Sequence, residues 1–450
     1  MGRSGPVAMA GAHTVDITPT TAPVWSTSKQ LRRNTAEDSA LLAHAVAFTD
    51  GNELAAVVAC DLTSISRSHF LAIRELASLR SGIPEKNLRI AANHVHAAPW
   101  LTPGFLINGP SPDPVYAEMV ADWIADSVLQ ARDKMRPARI AAGQAKGAGV
   151  SFNRRYLKPG GKAVMVFSTA RDPSLSAAGP ADDDLGYILF ESPDGEPIAA
   201  ITSFSAHNHV VDGSPVAGRP PNEVWHRDFG GRFGDVIRKQ LGKPIPVAYL
   251  AGACGNTAWQ NPRIAPPIDG QAAAWRIGAK LADAFLADIP KAKRRAIKDL
   301  RLASKVIEIP DRPLSDSSVC TDRCRGMEEH LNDLDMRRFG LERKVQQERG
   351  DGSKNVVEVG ALSFGGVAIS SNPAELFVEF GLEIKRRSPF EVTLISELTN
   401  GYCGYVPTEE SFAQGGYETH RSMFSSRIAL NGGRIITEAS IATLTECYRG

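Results

Sequence analysis

The stretch Leu88–Pro99, which reads LRIAANHVHAAP, carries the strongest structural and chemical signals of the chain. Its first part, Leu88–His94, is apolar and rich in small side chains, which is typical of a buried β-strand. His94 and His96 stand one residue apart where this strand is expected to end. Because residues i and i+2 of a strand point to the same face, we expect both imidazoles to reach one site.

A second pair of histidines follows the same pattern further along the chain. The predicted strand Ile198–Ser205 (IAAITSFS) ends just before His207-Asn208-His209. Only ten histidines occur in 450 residues, and four of them form these two pairs. Neutral imidazole is a common zinc ligand, but histidines at strand ends also serve as ordinary hydrogen-bonding groups. The spacing alone therefore leaves two alternatives, a metal site and hydrogen-bonded strand ends.

Strands and helices alternate along the chain. Apolar runs predict further strands, and amphipathic patterns predict the helices between them. This alternation is typical of an α/β protein. The further predicted strands are Ala55–Asp61, Pro246–Leu250, Val367–Ser370 and Glu391–Leu398, and the predicted helices are Ser66–Leu79, Pro114–Lys134, Asp228–Leu241, Gln271–Leu286 and Ala374–Arg387.

Two stretches have the composition of surface insertions. Thr102–Pro114 is rich in glycine and proline and follows a predicted strand, so we interpret it as an active-site loop. Residues 312–354 are strongly charged and are predicted to form a solvated helical insertion without chemistry of its own.

The charge balance limits the classes of partner. The sequence has 51 lysine and arginine residues against 50 aspartate and glutamate residues, so it has no overall field that would attract nucleic acid or anionic lipid. We therefore expect a small-molecule substrate as the partner and no nucleic acid.

The cysteines and the N-terminus bear on the compartment. Six cysteines in 450 residues are too sparse for a disulfide scaffold, and the lone pair Cys320 and Cys324 cannot fill a four-ligand zinc site. No signal peptide and no run of 18 apolar residues is present, which predicts a cytoplasmic protein without a membrane span. A leader already removed would leave the same sequence.

Six segments, spread in order over about residues 13 to 420, resemble motifs of the neutral ceramidases. Tyr417-Glu418 follows the last of them with the spacing that the family has. On these matches the chain is identified as a divergent member of the neutral/alkaline, non-lysosomal ceramidase family. The segments are Val15–Pro19 (DITG in the family), Asn93–Pro99 (THTHSGP), Phe152–Arg155 (INRSP), Ser203–His207 (the strand before the second histidine ligand), Asn372–Phe377 (PGEF) and Asn400–Thr408 (N-x-Y-x-x-Y-[IV]-x-T).

This resemblance implies a fold and a reaction. The implied fold is α/β, with two packed mixed β-sheets flanked by helices in an αββα arrangement. It implies one catalytic domain over residues 1–450, without a counterpart of the family's C-terminal immunoglobulin-like domain. The implied activity is zinc-dependent hydrolysis of an amide (N-acyl) or related acyl bond by metal-activated water.

The resemblance also implies a set of zinc ligands. Carried over by position, these are His94, His207, Glu375 and Tyr405. Two imidazoles, a carboxylate and a phenolate offer nitrogen and oxygen donors, which suit Zn²⁺. The choice of Tyr405 over Tyr402 rests on the resemblance alone.

Glu375 has a competing local interpretation. Asn372 is a good N-cap and Pro373 suits the first helical position, which places Glu375 where a capping box needs it. The residues around it favour this structural role, whereas the ordered family matches favour the metal.

Three further residues match family positions near the scissile bond: His96, Arg154 and Tyr417. Histidine and tyrosine can transfer a proton or stabilise an oxyanion, and arginine can hold a substrate oxygen. Their alternatives are a hydrogen bond at a strand end, a salt bridge and a packed ring. Asp16 is a candidate for orienting a ligand histidine.

The sequence also departs from the family. A serine of the family's GDVSPN segment is a proposed participant in catalysis, but the corresponding Gly252–Trp259 (GACGNTAW) has none, and neither Cys254 nor Thr257 aligns as a substitute.

Three other functions remain as alternatives to zinc-dependent hydrolysis of an amide on this scaffold. They are a metal-assisted lyase or hydrolase acting on a sugar acid, an amidohydrolase-type metal barrel, and a binding protein without catalysis.

Overall fold

The structure is a computed structural model, and it describes most of the chain. Residues 103–111 of the predicted loop and residues 313–353 of the predicted insertion, with Cys320 and Cys324, lie outside the described part. The described residues are 7–20, 24–25, 31–32, 34–35, 39–102, 112–165, 174–211, 224–259, 261, 270–312, 354–419 and 426–450.

The described residues form helices and many short strands. The helices are α1 (Arg67–Ser81), α2 (Pro114–Asp133), α3 (Asp228–Leu241), α4 (Gly270–Asp288), α5 (Val378–Arg387), α6 (Glu409–Gln414) and α7 (Gly432–Arg449), with 3-10 turns at Glu85–Asn87, Ile289–Lys291 and Tyr417–Thr419. The strands are β1 (Met9–Asp16), β2 (Val24–Trp25), β3 (Leu31–Arg32), β4 (Asn34–Thr35), β5 (Leu42–Thr49), β6 (Leu54–Cys60), β7 (Leu88–Ala92), β8 (Arg136–Pro137), β9 (Arg139–Ala145), β10 (Phe152–Asn153), β11 (Arg155–Leu157), β12 (Ala163–Met165), β13 (Ser176–Ala177), β14 (Leu185–Glu191), β15 (Pro197–Phe204), β16 (Val224–Trp225), β17 (Val247–Ala251), β18 (Thr257–Ala258), β19 (Lys293–Ala296), β20 (Arg301–Pro310), β21 (Lys354–Phe364), β22 (Val367–Ser371), β23 (Glu375–Leu376), β24 (Val392–Ser396) and β25 (Tyr405–Val406).

The first large sheet has the strand order β7-β6-β5-β1-β8. Helices α1 and α2 cover its outer face, where Phe70 and Ile124 pack against small residues such as Ala45 and Ala56. Small side chains on the sheet let both helices approach closely, which suits the dense packing of protein interiors. No described helix is both long enough and apolar enough to cross a bilayer.

The second and third large sheets repeat this plan. The second has the order β17-β15-β14-β9-β19 and is covered by α3 and α4, which contribute Phe233 and Leu281 to the packing. The third has the order β20-β21-β22-β24 and is covered by α5 and α7, which contribute Ile384 and Leu444.

The inner faces of the three sheets meet in one apolar core. Phe48 of the first sheet lies 5.2 Å, centroid to centroid, from Phe190 of the second and 4.6 Å from Phe364 of the third. The predicted α/β fold of packed mixed sheets flanked by helices is therefore confirmed, with three large sheets among the described residues where the prediction has two.

Each large sheet contains one parallel pair of strands. The pairs are β6 with β7, β15 with β17, and β22 with β24, and the other pairings in these sheets are antiparallel. Ligands of α/β proteins bind outside the carboxyl ends of parallel strands. The carboxyl ends of these three pairs are therefore the places to look for a site.

One predicted helix start is wrong, and it concerns Glu375. The helix predicted from Ala374 begins at Val378, while Glu375 lies in β23 and pairs in parallel with Tyr405 of β25. The Glu375 N–H donates to the Gly404 carbonyl (2.9 Å), so it is not available to the side chain of an N-cap residue. The capping-box alternative for Glu375 fails because a strand from a distant part of the chain overrides the local signal.

Removing the central ring of the core tests this packing. We expect Phe48→Ala to lower the free energy of unfolding by about 3–5 kcal/mol, because the ring is fully buried between three sheets. Urea unfolding followed by circular dichroism measures it. Leu79→Ala on α1, where the side chain is 81% exposed, is the control and should change little. A cost below about 1 kcal/mol for Phe48→Ala would contradict a core shared by the three sheets.

Candidate metal centre and active site

The two histidine pairs lie in loops that follow β7 and β15. His94 has a backbone φ of 61°, outside the extended region, so the predicted same-face strand geometry is wrong for this pair. Instead, hydrogen bonds join the loops. The His96 N–H donates to the Asn208 carbonyl (3.3 Å), and Asn208 Nδ2 donates to the Asn93 carbonyl (3.3 Å). These contacts place His94, His96 and His207 together although the strands have ended.

Two backbone carbonyls lie against the Nδ1 atoms of His94 and His207 and determine which ring nitrogen carries the proton. His94 Nδ1 lies 2.9 Å from the Thr63 carbonyl, and His207 Nδ1 lies 2.9 Å from the Cys254 carbonyl. A carbonyl only accepts, so each Nδ1 carries a proton, and Nε2 of a neutral ring then presents a lone pair. Burial, followed by the charge of Arg154, lowers the pKa of His207 well below its usual range, which keeps that ring neutral.

The Nε2 atoms of His94 and His207 lie close to one carboxylate oxygen of Glu375. His94 Nε2 and His207 Nε2 are 3.1 Å apart, and Glu375 Oε2 lies 3.2 Å from the first and 3.4 Å from the second. Glu375 Oε2 is buried and has no hydrogen-bond partner among the described residues.

This arrangement fits a metal ion. At zinc–nitrogen distances of about 2.0–2.1 Å, the ligand atoms of a tetrahedral shell lie about 3.3 Å from one another. The spacings between His94, His207 and Glu375 are 3.1, 3.2 and 3.4 Å. Lone pairs this close repel one another unless a cation lies between them.

Tyr405 completes the predicted ligand set. Its hydroxyl oxygen lies 3.2 Å from His207 Nε2, and Arg154 Nη2 donates to the same oxygen (3.0 Å). Arg154 Nε is held by Glu418 (3.0 Å). Burial lowers the pKa of Arg154, but Tyr405 and Glu418 reverse this and shift it upward, so the guanidinium stays charged. A charged guanidinium at 3.0 Å favours the phenolate form that a metal requires.

Two solved structures share the fold of this chain. The crystal structure of neutral ceramidase from Pseudomonas aeruginosa matches with a TM-score of 0.73 at 18% identity, over 99% of this chain and 75% of that one. This chain has the neutral ceramidase fold. A second structure, of a ceramidase complexed with C2, matches with a TM-score of 0.72 at 15% identity, over 98% of this chain and 75% of the other. No protein-family profile matches the sequence, and no curated protein matches it significantly.

Within this ceramidase-like fold, His96 lies beside the proposed ligands His94 and His207. Its Nε2 lies 3.4 Å from His94 Nε2, so His94, His96 and His207 together form a cluster that could hold a metal ion. We predicted a catalytic role for His96. Its position fits both catalysis and metal binding. Burial lowers the pKa of His96 well below its usual range, which keeps its ring neutral.

Some residues around the centre were missed from the sequence. Tyr402 donates its hydroxyl to Glu375 Oε1 (2.6 Å) and so orients the carboxylate from its second oxygen. The His209 ring lies 5.4 Å from that of His96 and 6.5 Å from that of Trp259, and borders the centre on that side. The spacing of the second pair pointed to His209, whereas nothing local marks the Tyr402 contact.

The carboxylate that contacts the loop of the first histidine pair is Asp61 and not Asp16. Asp16 is exposed and accepts hydrogen bonds from the N–H (2.8 Å) and the hydroxyl (2.5 Å) of Thr18, so it orients no histidine. Asp61 is buried and accepts from Asn93 Nδ2 (2.5 Å), the residue before His94.

The segment that lacks the ceramidase serine offers no substitute nucleophile. The Cys254 thiol is buried and donates to Glu397 Oε1 (2.8 Å), and burial, followed by Glu397, raises its pKa well above the usual range. The buried Thr257 hydroxyl donates to the Ser205 carbonyl (2.8 Å). Tyr417 begins a 3-10 turn, but its side chain lies outside the described part of the structure, so its predicted role stays a prediction.

The two candidate sets of histidine ligands can be separated by substitution. We expect His94→Ala and His207→Ala to weaken zinc binding by more than about 100-fold, because each opens a coordination position. His96→Ala should keep the metal and lose activity instead. Competition with a chelating dye measures the affinities, with His69→Ala on α1 as the control. A His96→Ala protein as depleted of metal as His94→Ala would place all three histidines on the metal.

Replacing each of three tyrosines by phenylalanine should affect zinc binding to different degrees. Tyr405→Phe removes a proposed ligand oxygen and should weaken zinc binding most. Tyr402→Phe removes only the donor to Glu375 and should cost about 10-fold. Tyr187→Phe, which loses a hydroxyl bonded to Asp288 (2.8 Å) on a distant face, should not change the affinity. Equal affinities for the Tyr405→Phe and Tyr187→Phe proteins would remove Tyr405 from the ligand set.

Proposed function

We propose that this chain is a zinc-dependent hydrolase that cleaves the amide bond, or a related acyl bond, of a small N-acyl compound. The observation that carries the proposal is the convergence of two bare imidazole nitrogens on an unpartnered, buried carboxylate oxygen. The ceramidase-like fold supports it, since the two matching structures are of ceramidases.

The donor set favours zinc over harder cations. His94 and His207 supply neutral nitrogen, which suits zinc better than magnesium or calcium, and Glu375 and Tyr405 supply oxygen. When bound, zinc polarises a carbonyl and lowers the pKa of water to about 7, which is the chemistry that amide hydrolysis needs.

The chain's own groups would manage the protons. A neutral imidazole can accept a proton at one ring nitrogen and donate one from the other, and this is the role we propose for His96. Arg154 is fixed by Glu418 and by the Gly255 carbonyl (2.9 Å), and holds Tyr405. Tyr417 is carried over as a third candidate for proton transfer.

The missing serine bears on whether the reaction passes through an acyl-enzyme. Because Cys254 and Thr257 are buried and use their side-chain hydrogens in internal bonds, neither is placed to form an acyl-enzyme. We therefore favour direct hydrolysis by water. The Ala97-Ala98 that follows the first histidine pair also departs from the ceramidase sequence, and we propose that long-chain ceramide is a poor substrate.

Metal analysis combined with a substrate panel tests the function. We expect one zinc per chain in protein purified without chelator, and loss and recovery of activity when the metal is removed and restored. N-acyl compounds of increasing chain length should be hydrolysed, with long-chain ceramide in mixed micelles slower than the best soluble compound. Less than about 0.2 equivalents of any transition metal, with no activity on addition of zinc, would refute the proposal.

A further inference from the structure

Glu397 is a fully buried carboxyl that lies behind the metal centre and that no predicted role includes. It follows β24, and its backbone N–H donates to the Ala251 carbonyl (2.9 Å) at the end of β17. Its Oε2 accepts from the N–H groups of Cys254 (3.2 Å) and Leu376 (3.0 Å), and its Oε1 accepts from the Cys254 thiol (2.8 Å). One carboxyl thus joins a loop of the second sheet to a strand beside the third.

Both of its backbone partners belong to metal-ligand segments. The Cys254 carbonyl accepts from His207 Nδ1 (2.9 Å), and Leu376 directly follows Glu375. The same junction is tight, because the Gly255 N–H donates to the Leu376 carbonyl (2.9 Å) and a Cβ at Gly255 would lie 2.5 Å from the Glu375 carbonyl oxygen.

We propose that Glu397 is a positioning residue for the metal centre, which holds the Cys254 carbonyl against His207 and the backbone of Glu375 in register with it. The proposal rests on the function proposed above. Groups behind metal ligands fix the ring tautomer and the orientation of carboxylates, and their loss typically weakens metal binding by about 10- to 100-fold.

Glu397 acts by accepting hydrogen bonds. Its partners are two neutral N–H groups and a thiol, and no basic side chain of the described residues forms a salt bridge with it. Because a single oxygen accepts from both N–H groups, a glutamine amide oxygen can take its place while the amide nitrogen faces the sulfur. Leucine, of similar size, accepts nothing.

Three variants of the full chain separate positioning from general stability. Glu397→Leu removes the acceptor and Glu397→Gln keeps it. The control is Glu191→Leu, which removes a buried carboxylate bound to Arg139 (2.7 Å) and Arg294 (3.2 Å). Glu191 lies at the opposite end of the second sheet from His207, since it pairs with Pro197 where β15 begins.

Zinc affinity and the His207 imidazole resonances are the readouts. We expect Glu397→Leu to lose about 10- to 100-fold in zinc affinity and to shift the Nδ1–H resonance of His207 in ¹⁵N-histidine-labelled protein. Glu397→Gln should match the wild type in both. Glu191→Leu should lower the Tm and change neither.

Wild-type affinity and an unshifted His207 resonance in Glu397→Leu would overturn the proposal, as would a Glu397→Gln protein that fails as badly as the leucine variant. If Glu397→Leu does not fold, Glu397→Asp, whose carboxyl is one methylene short, replaces it with the same expected losses. A wild-type protein without zinc counts against the proposed function, and the His207 resonance then still decides the role of Glu397.

Discussion

The hydrogen bonds from His94 Nδ1 to the Thr63 carbonyl and from His207 Nδ1 to the Cys254 carbonyl are the contacts on which the centre depends. Each places the ring proton on the side away from the centre, so the lone pairs face Glu375 Oε2. If either ring took the other tautomer, its Nε2–H would satisfy the carboxylate directly and leave no need for a cation. The positions of the Thr63 and Cys254 carbonyls in their loops thus determine whether the two histidines can act as metal ligands.

The fold brings these loops together through its parallel strand pairs. Thr63 and His94 follow β6 and β7, His207 and Cys254 follow β15 and β17, and Glu375 and Glu397 follow β22 and β24. Every pair contributes one proposed ligand and one group proposed to support a ligand. Because the three sheets share a core, their carboxyl ends meet at one place, which is the general position of sites in α/β folds.

The six strands predicted from the sequence are the members of these three pairs. They are predictable because strands buried on both faces read as continuous apolar runs, whereas the antiparallel β1, β9 and β20 have weaker patterns. The histidine pairs were visible for the same reason, since they end apolar runs. The contacts of Tyr402 and Glu397 could not be predicted, because their partners are distant in sequence and for Glu397 include backbone groups. The local signal at Glu375 was misleading because it described a helix that the pairing with Tyr405 prevents.

The proposed ligands come from loops and strands that belong to separate layers, with His94 and Tyr405 more than 300 positions apart in the sequence. Closing such long loops is entropically expensive, so the centre cannot assemble before the three sheets have docked. An ion that bound early would find at most one histidine pair. A metal ion held by these residues would therefore enter after the protein core has formed, as the last step of folding.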